Sequence, residues 1–230
     1  MKINIIGSHI NAHKAYGTTV VIDVLRAFTT ACYILDQKVK SLIVVSDTQS
    51  ARKIKQNNPN VILVGEIKGI KPDGFNFGNS PFQISQANLT DKTIVFTTSS
   101  GTKGILNSIN ADEIITGAFV NCSAIVSYLK NKKISSVSLI CTDDRYKDNE
   151  DYLCALYISE SLSGKTVNFK NLVEKIRKHP TSDGFLRKPI TKFSRSDFEL
   201  AMQFNKFNFV IKANKKPNNL KLERIDVYEK

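Results

Sequence analysis

A chain of 230 residues with 41% apolar and 23% charged side chains can bury an ordinary core as one domain, and its composition is neither that of a disordered chain nor that of a membrane protein. The formal net charge of +12 raises nucleic acid as a partner. The Lys and Arg residues are scattered, however, with no basic arm, no zinc-finger spacing, no Trp and no interleaving of basic and aromatic residues, so no nucleic-acid partner is expected. A solvated Lys-rich surface, or a field that attracts a small polyanion, accounts for the charge.

The N-terminal stretch "MKINIIGSHINAHKAYG" has too short an apolar run for a signal peptide or a spanning helix, so a cytoplasmic protein without a membrane partner is expected. Strand-like runs follow in order: "KINII", "TVVIDVL", "SLIVVS", "VILVGE", "TIVFTT", "EIITGAF", "SVSLIC" and, less regularly, "NFVIKA". Several are continuously apolar, as strands buried on both faces are. Between them "RAFTTACYILDQ", "TQSARKIKQN", "GTKGILNSI", "NCSAIVSYLKNK" and "NEDYLCALYISESL" carry apolar residues at helical intervals, as do "NFKNLVEKIRKHP" and "SRSDFELAMQF" further on. The tail "KANKKPNNLKLERIDVYEK" reads as an exposed loop and a last strand. Alternating strands and helices predict a single α/β domain over residues 1–230, a three-layer α/β/α sandwich around a largely parallel or mixed central sheet.

Ligands of such sheets bind beyond the carboxyl ends of the strands, so the residues just after each run are the candidates. They are Asp23 and Arg26, then "GEIKGIKPDGFNFGNSP", "TTSSGTKG", "GAFVNC" and "CTDDRYKDNED". Small hydroxyl residues and Gly101 entering a helix suit an anion, although an ordinary capped helix start has the same residues. In "GFNFGNSP", Ser80 and Pro81 look like a cap and a first helical residue. Asp23, Glu66 and the Asp143/Asp144 pair offer hard oxygen ligands from separate strand ends, a set suited to magnesium. The histidines His9, His13 and His179 are read as structural or exposed, and Cys32, Cys122, Cys141 and Cys154, without CxxC spacing, as reduced core thiols. The chain has neither a GxxxxGK[ST] loop nor GxGxxG, nor the two-aspartate or cysteine-arginine phosphatase signatures.

Five blocks, "VVIDVLRAFTT", "GEIKGIKPDGFNFGNSP", "TTSSGTKGI", "GAFVNCSAI" and "EDYLCA", resemble in order and spacing those of the 2-phosphosulfolactate phosphatase family. The resemblance implies a magnesium-dependent hydrolase that takes 2-phospho-3-sulfolactate, a small anionic phosphate ester, to sulfolactate and phosphate, a step toward coenzyme M in methanogens. It also suggests a homodimer. By motif it places Asp23, Arg26 and Glu66 in the catalytic machinery. Asn79, Ser80, Thr98, Ser99, Ser100, Gly101 and Thr102 fall around the substrate, with Lys103, Asn121, Glu150 and Asp151. Magnesium is assigned to Asp23, Glu66 and Asp143, with Lys68, Lys71 and Lys103 as cations for the substrate's other anionic end. The chain departs from the family at Asn76, Ser100, Lys103, Leu156 and the Asp143 loop, so another small 2-phospho acid as substrate, or a non-catalytic relative that binds a phosphorylated or sulfonated anion, stays open.

Overall fold

A computed structural model of the chain describes residues 1–143, 148–187, 193–216 and 219–228. Its strands are β1 (Lys2–Gly7), β2 (Gly17–Ile22), β3 (Ser41–Val44), β4 (Ile62–Gly65), β5 (Thr93–Thr97), β6 (Ala111–Gly117), β7 (Ser136–Cys141), β8 (Phe209–Lys216) and β9 (Asn219–Asp226). Among the described residues the helices are α1 (Ala27–Asp36), α2 (Thr48–Asn57), α3 (Pro81–Ser85), α4 (Gly101–Asn107) and α5 (Cys122–Asn131). They continue with α6 (Glu150–Leu162), α7 (Phe169–Lys178), α8 (Asp183–Leu186) and α9 (Arg195–Ala201). The apolar runs become strands where expected. The tail differs: β8 continues to Lys216 and pairs antiparallel with β9 from Asn219, so most of the expected loop is hairpin. Leu220 and Leu222 are buried while Lys221 is half-buried and Glu223 exposed, an alternation that Lys and Asn residues obscure in the sequence.

All nine strands form one sheet in the order β1-β7-β2-β6-β8-β9-β3-β5-β4. β1, β7, β2 and β6 are mutually parallel, as are β3, β5 and β4. The β8–β9 hairpin joins the two groups through antiparallel ladders on both sides, so the sheet is mixed and mostly parallel. Counted along the ladder, the two parallel groups therefore run in opposite senses. Neighbouring strands rotate by about 20–25°, and five steps separate β2 from β5, so the accumulated twist is roughly 100–125°. That rotation swings the carboxyl ends of β4 and β5 toward those of β2 and β7.

Helices cover both faces. On β2, a Cβ added at Gly104 of α4 would meet Val21 at 2.6 Å, whereas one added at Gly117 of β6 would meet Val20 at 2.9 Å and Ile125 of α5 at 3.1 Å. Alternate residues of β2 thus face α4 and α5. Helix α1 is buried from Ala27 to Leu35, as a helix that is apolar all round must be. The principal core cluster runs from Val20 to Val227 and includes residues of both strand groups and the hairpin.

Gly65, at the end of β4 with φ 153°, lies so close to β5 that a Cβ would collide with the Thr97 carbonyl oxygen. Gly65→Ala is expected to destabilise the protein by about 1–3 kcal/mol, a drop of roughly 2–10 °C in Tm. An unchanged Tm in thermal denaturation would show that β5 yields without cost.

Candidate active site

β2 carries Asp23 to the edge of the sheet. Its N–H still donates to Gly117 at 3.2 Å, and its Oδ1 accepts from the Ala27 N–H at 3.0 Å, which fixes the carboxylate to the start of α1. Asp151, at the start of α6, ties the neighbouring strand ends together. Its Oδ1 accepts from the Val24 N–H at 2.8 Å. Its Oδ2 accepts from the Thr142 N–H at 3.1 Å, the Thr142 hydroxyl at 3.0 Å and the Asp143 N–H at 3.3 Å. Glu150 beside it accepts from the Thr181 hydroxyl at 2.7 Å.

Glu66 follows β4 and holds two loops at once. Oε1 accepts from the Ser99 N–H at 2.6 Å, and Oε2 from the Ser99 hydroxyl at 3.0 Å and the Gly69 N–H at 2.6 Å. Ile67 and Ile70 pair through both backbone bonds, with Lys68 and Gly69 at φ 50° and 83°, the positive-φ pair that a two-residue hairpin turn needs. Lys68 therefore sits on a turn anchored by Glu66.

These residues line a cleft of 540 Å³ that includes Asp23, Arg26, Glu66, Lys68, Asn79 and Ser99. An adjoining pocket of 320 Å³ shares Asp23, Thr142 and Asp143 with it and adds Glu150 and Asp151. A larger cavity of 820 Å³, between Ile54 of α2 and Leu106 of α4, offers Lys53 and Lys215 but no carboxylate, so volume alone does not mark the chemistry. Among the described residues, Asp23, Glu66, Asp143, Glu150 and Asp151 face the two connected pockets against Arg26 and Lys68 as cations. Burial, with Glu66 and Asp143 near it, pushes Asp23 up to about 6, against the Ala27 hydrogen bond. Burial likewise raises Glu150 to about 7. It drives Asp151 well above the ordinary carboxylate range, with Glu150 and Asp23 adding repulsion and the Val24 and Thr142 donors opposing it.

The structure brings together only part of the expected set. Ser99 and Ser100 line the cleft, but the anion cradle expected from Thr98 to Lys103 is reduced. The Ser99 amide is taken by Glu66, and the Thr102 amide by the Thr98 hydroxyl at 3.1 Å. Gly101 serves close approach, since a Cβ there would meet Ala27 at 2.9 Å and Asp23 Oδ2 at 3.1 Å. Ser80 caps α3 and donates to Asp197. Asn121 is fully buried, where it accepts from Ala118 and donates to the Phe209 carbonyl, and it holds the turn before α5 rather than lining the cleft. Lys103 is exposed, and neither it nor Lys71 lines the cleft, so Lys68 is the one of the three expected lysines that does. Asp144 lies outside the described residues.

Asn79 is buried in the cleft wall, with its Oδ1 lacking any hydrogen-bond partner. An orphaned carbonyl oxygen in a wall that also carries Asp23, Glu66 and Asp143 offers oxygen donors, the kind hard cations take. Among the described residues no three His, Cys, Asp or Glu side chains are placed to hold a metal ion between them. The expected Asp23, Glu66 and Asp143 set is therefore not a preformed cage, and Glu66 is occupied by the two loops. Magnesium does not need such a cage, because one or two carboxylates with waters and substrate phosphate suffice. Reasoning from sequence missed two residues here. His9 lines the cleft with Nδ1 3.1 Å from the Thr142 carbonyl, and its place just after β1 was the available signal. Asp197, bonded to Arg26, is 171 residues away in a helix and gives none.

A mostly parallel α/β sheet with a polar cleft built on its strand ends defines an enzyme-like site for a small charged ligand. A family model described as 2-phosphosulpholactate phosphatase matches residues 5–216, and the chain belongs to that family. A probable 2-phosphosulfolactate phosphatase of Thermotoga maritima is 36% identical over 176 residues, covering 70% of this chain and 75% of the relative. Proteins of the same description from Thermoplasma volcanium and Bacillus subtilis are 31% identical over 188 residues (81% and 84% covered) and 26% identical over 228 residues (98% and 99%). A phosphatase of that description is a phosphoric monoester hydrolase, and the chain falls in that enzyme class. Among the described residues no helix is long and apolar enough to cross a membrane.

Glu150 makes stability depend on pH. Between its ordinary value of 4.5 and about 7 the unfolded chain loses a proton that the folded chain keeps, so stability falls as pH rises through this window and levels off above it. Glu150→Gln keeps an acceptor for Thr181 and is expected to flatten the decline, worth on the order of 3 kcal/mol between pH 4.5 and 8. Denaturant melts at several pH values check this; an unaltered slope would assign the decline to other groups.

Proposed function

We propose that the protein is a magnesium-dependent phosphatase that hydrolyses 2-phospho-3-sulfolactate, or a closely related small 2-phospho acid, in the cytoplasm. The observation that carries the cation is electrostatic. Five carboxylates face the connected pockets and two cations oppose them, with Arg26 already paired to Asp197. A polyanionic ester is repelled by whichever of these groups are ionised, and a cation entering with it would offset that repulsion. Asp23 and Asp143 are the carboxylates shared by both pockets, and with Asn79 Oδ1 they would hold the ion. Bound there, magnesium supplies charge that screens the phosphoryl oxygens from the surrounding carboxylates.

The remaining roles belong to the chain's own groups. Arg26 uses N–H groups toward Asp197 and the Gly69 carbonyl, and the rest of its five donors are left for phosphoryl oxygens. Lys68, exposed at the tip of its turn, meets the carboxylate or sulfonate at the other end of the substrate. A carbonyl only accepts, so His9 donates from Nδ1 to Thr142, leaving the Nε2 lone pair as a proton acceptor, able to take a proton from an attacking water. Glu66 acts by holding the Lys68 turn and Ser99 in place.

Phosphate release from a panel of small 2-phospho acids is expected to need magnesium, to stop with chelator, and to fall at least about 100-fold in Asp23→Asn. Loss of magnesium affinity in the same variant marks Asp23 as a ligand, whereas intact affinity without turnover marks it as the nucleophile. Binding of these acids by the wild type without any release would overturn the phosphatase reading in favour of a non-catalytic binder. Lys68→Ala is expected to raise KM about 10-fold or more with a smaller change in kcat, and an unchanged KM would remove Lys68 from substrate recognition.

A further inference from the structure

We infer that Asp197 is a positioning residue for the cleft, acting through Arg26 and through the loop that carries Asn79; the inference rests on the phosphatase reading above. Asp197 lies in α9 and is 1% exposed. Its Oδ2 accepts from Arg26 Nη1 at 3.0 Å. Its Oδ1 accepts from the Ser80 hydroxyl at 2.5 Å and the Phe82 N–H at 3.1 Å. One carboxylate therefore joins the helix that follows β2 to the loop that precedes α3.

Arg26 is held on its other sides as well. Nη2 donates to the Gly69 carbonyl at 3.3 Å, and the guanidinium lies over the rings of Phe193 and Phe185 at 5.1 and 5.7 Å. With aromatic rings and hydrogen-bonding partners around it, the guanidinium has little freedom to swing. Its residual donors are presented to the cleft in a fixed plane, the property that makes Arg superior to Lys for phosphate. Asn79, next in sequence to Ser80, keeps its unpartnered Oδ1 in the same wall.

A structural role alone is a weak account of this arrangement. Buried ion pairs contribute little net stability, because desolvating both charges offsets their attraction. A core needing only to fill the space under α9 is served as well by apolar residues. The pair sits instead at the cleft wall, where Arg26 has access to substrate and Asp197 does not: Arg26 lines the cleft, and Asp197 is absent from its lining. Asp197 thus touches no ligand itself and works by aiming the group that does.

The test is a double-mutant cycle on Asp197→Asn, Arg26→Met and the pair together, read both as magnesium-dependent turnover and as affinity for inorganic phosphate. Asp197→Asn retains an oxygen for Ser80 and Phe82 but removes the charge that holds Arg26. It is expected to lower kcat/KM by about 10- to 100-fold, and Arg26→Met by about 100- to 1000-fold. The double variant is expected to match Arg26→Met within about threefold, with phosphate affinity following the same pattern. Effects that multiply in both readouts would overturn the inference, since Asp197 would then act independently of Arg26. If Asp197→Asn does not fold, Asp197→Glu, which keeps the charge but displaces it by one methylene, takes its place in the cycle with the same outcomes. Absence of turnover in the wild type, with phosphate affinity still non-additive, would reject the phosphatase and keep the positioning role.

Discussion

The β8–β9 hairpin is the constraint on which the cleft depends. Two parallel groups of strands would each present ligands at their own carboxyl ends, yet Asp23 and Asp143 come from one group and Glu66 and Ser99 from the other. Joining the groups through a hairpin reverses one relative to the other, and the cumulative right-handed twist of the intervening strands brings their ends back together. The last strands in the sequence are thus the middle of the sheet, and the local order of the earlier elements acquires its functional geometry only when they are in place.

Convergence of strand ends creates a charge problem that the rest of the site answers. Carboxylates removed from water are costly unless hydrogen-bonded, neutralised or protonated. Asp151 and Glu66 take the first route, each with several donors, and so become fasteners between loops. Asp23 and Glu150, with fewer donors, have raised affinity for protons, and so does Asp151, whose donors only partly offset its burial. The same imbalance is what a divalent cation would offset under the proposed magnesium-dependent reading. Across the whole chain, a formal charge of +12 draws anions toward the molecule, while the cleft itself gathers carboxyl groups.

Much of this was legible in the sequence, and the gaps have physical causes. Continuous apolar runs such as "VVI" and "IVF" identified buried strands, and a list of strand-end residues found Asp23, Glu66, Ser99 and Glu150. The hairpin was blurred because Lys and Asn residues occupy its solvent-facing positions. Residue type could not tell a ligand from a fastener: Ser80, Asn121 and Thr102 are polar and close in sequence to the cleft, but their bonds go to the backbone or to buried partners. His9 also follows a strand end, two residues after β1, but the polar stretch around it looks like ordinary surface. Asp197 required the fold, since nothing in "SRSDFELA" announces a partner 171 residues away.

The Lys68–Gly69 turn separates two tasks that enzymes often entangle. Its base is fixed by Glu66 through the Gly69 N–H and through Ser99, while its tip projects an exposed side chain over the cleft. Because the backbone bonds of the turn do not involve the Lys68 side chain, a change of residue at the tip leaves the carboxylates and Arg26 where they are. Under the proposed function, substrate preference would be modular: one replaceable side chain would decide which acid is held, and the machinery acting on its phosphate would not have to be rebuilt when that choice drifts.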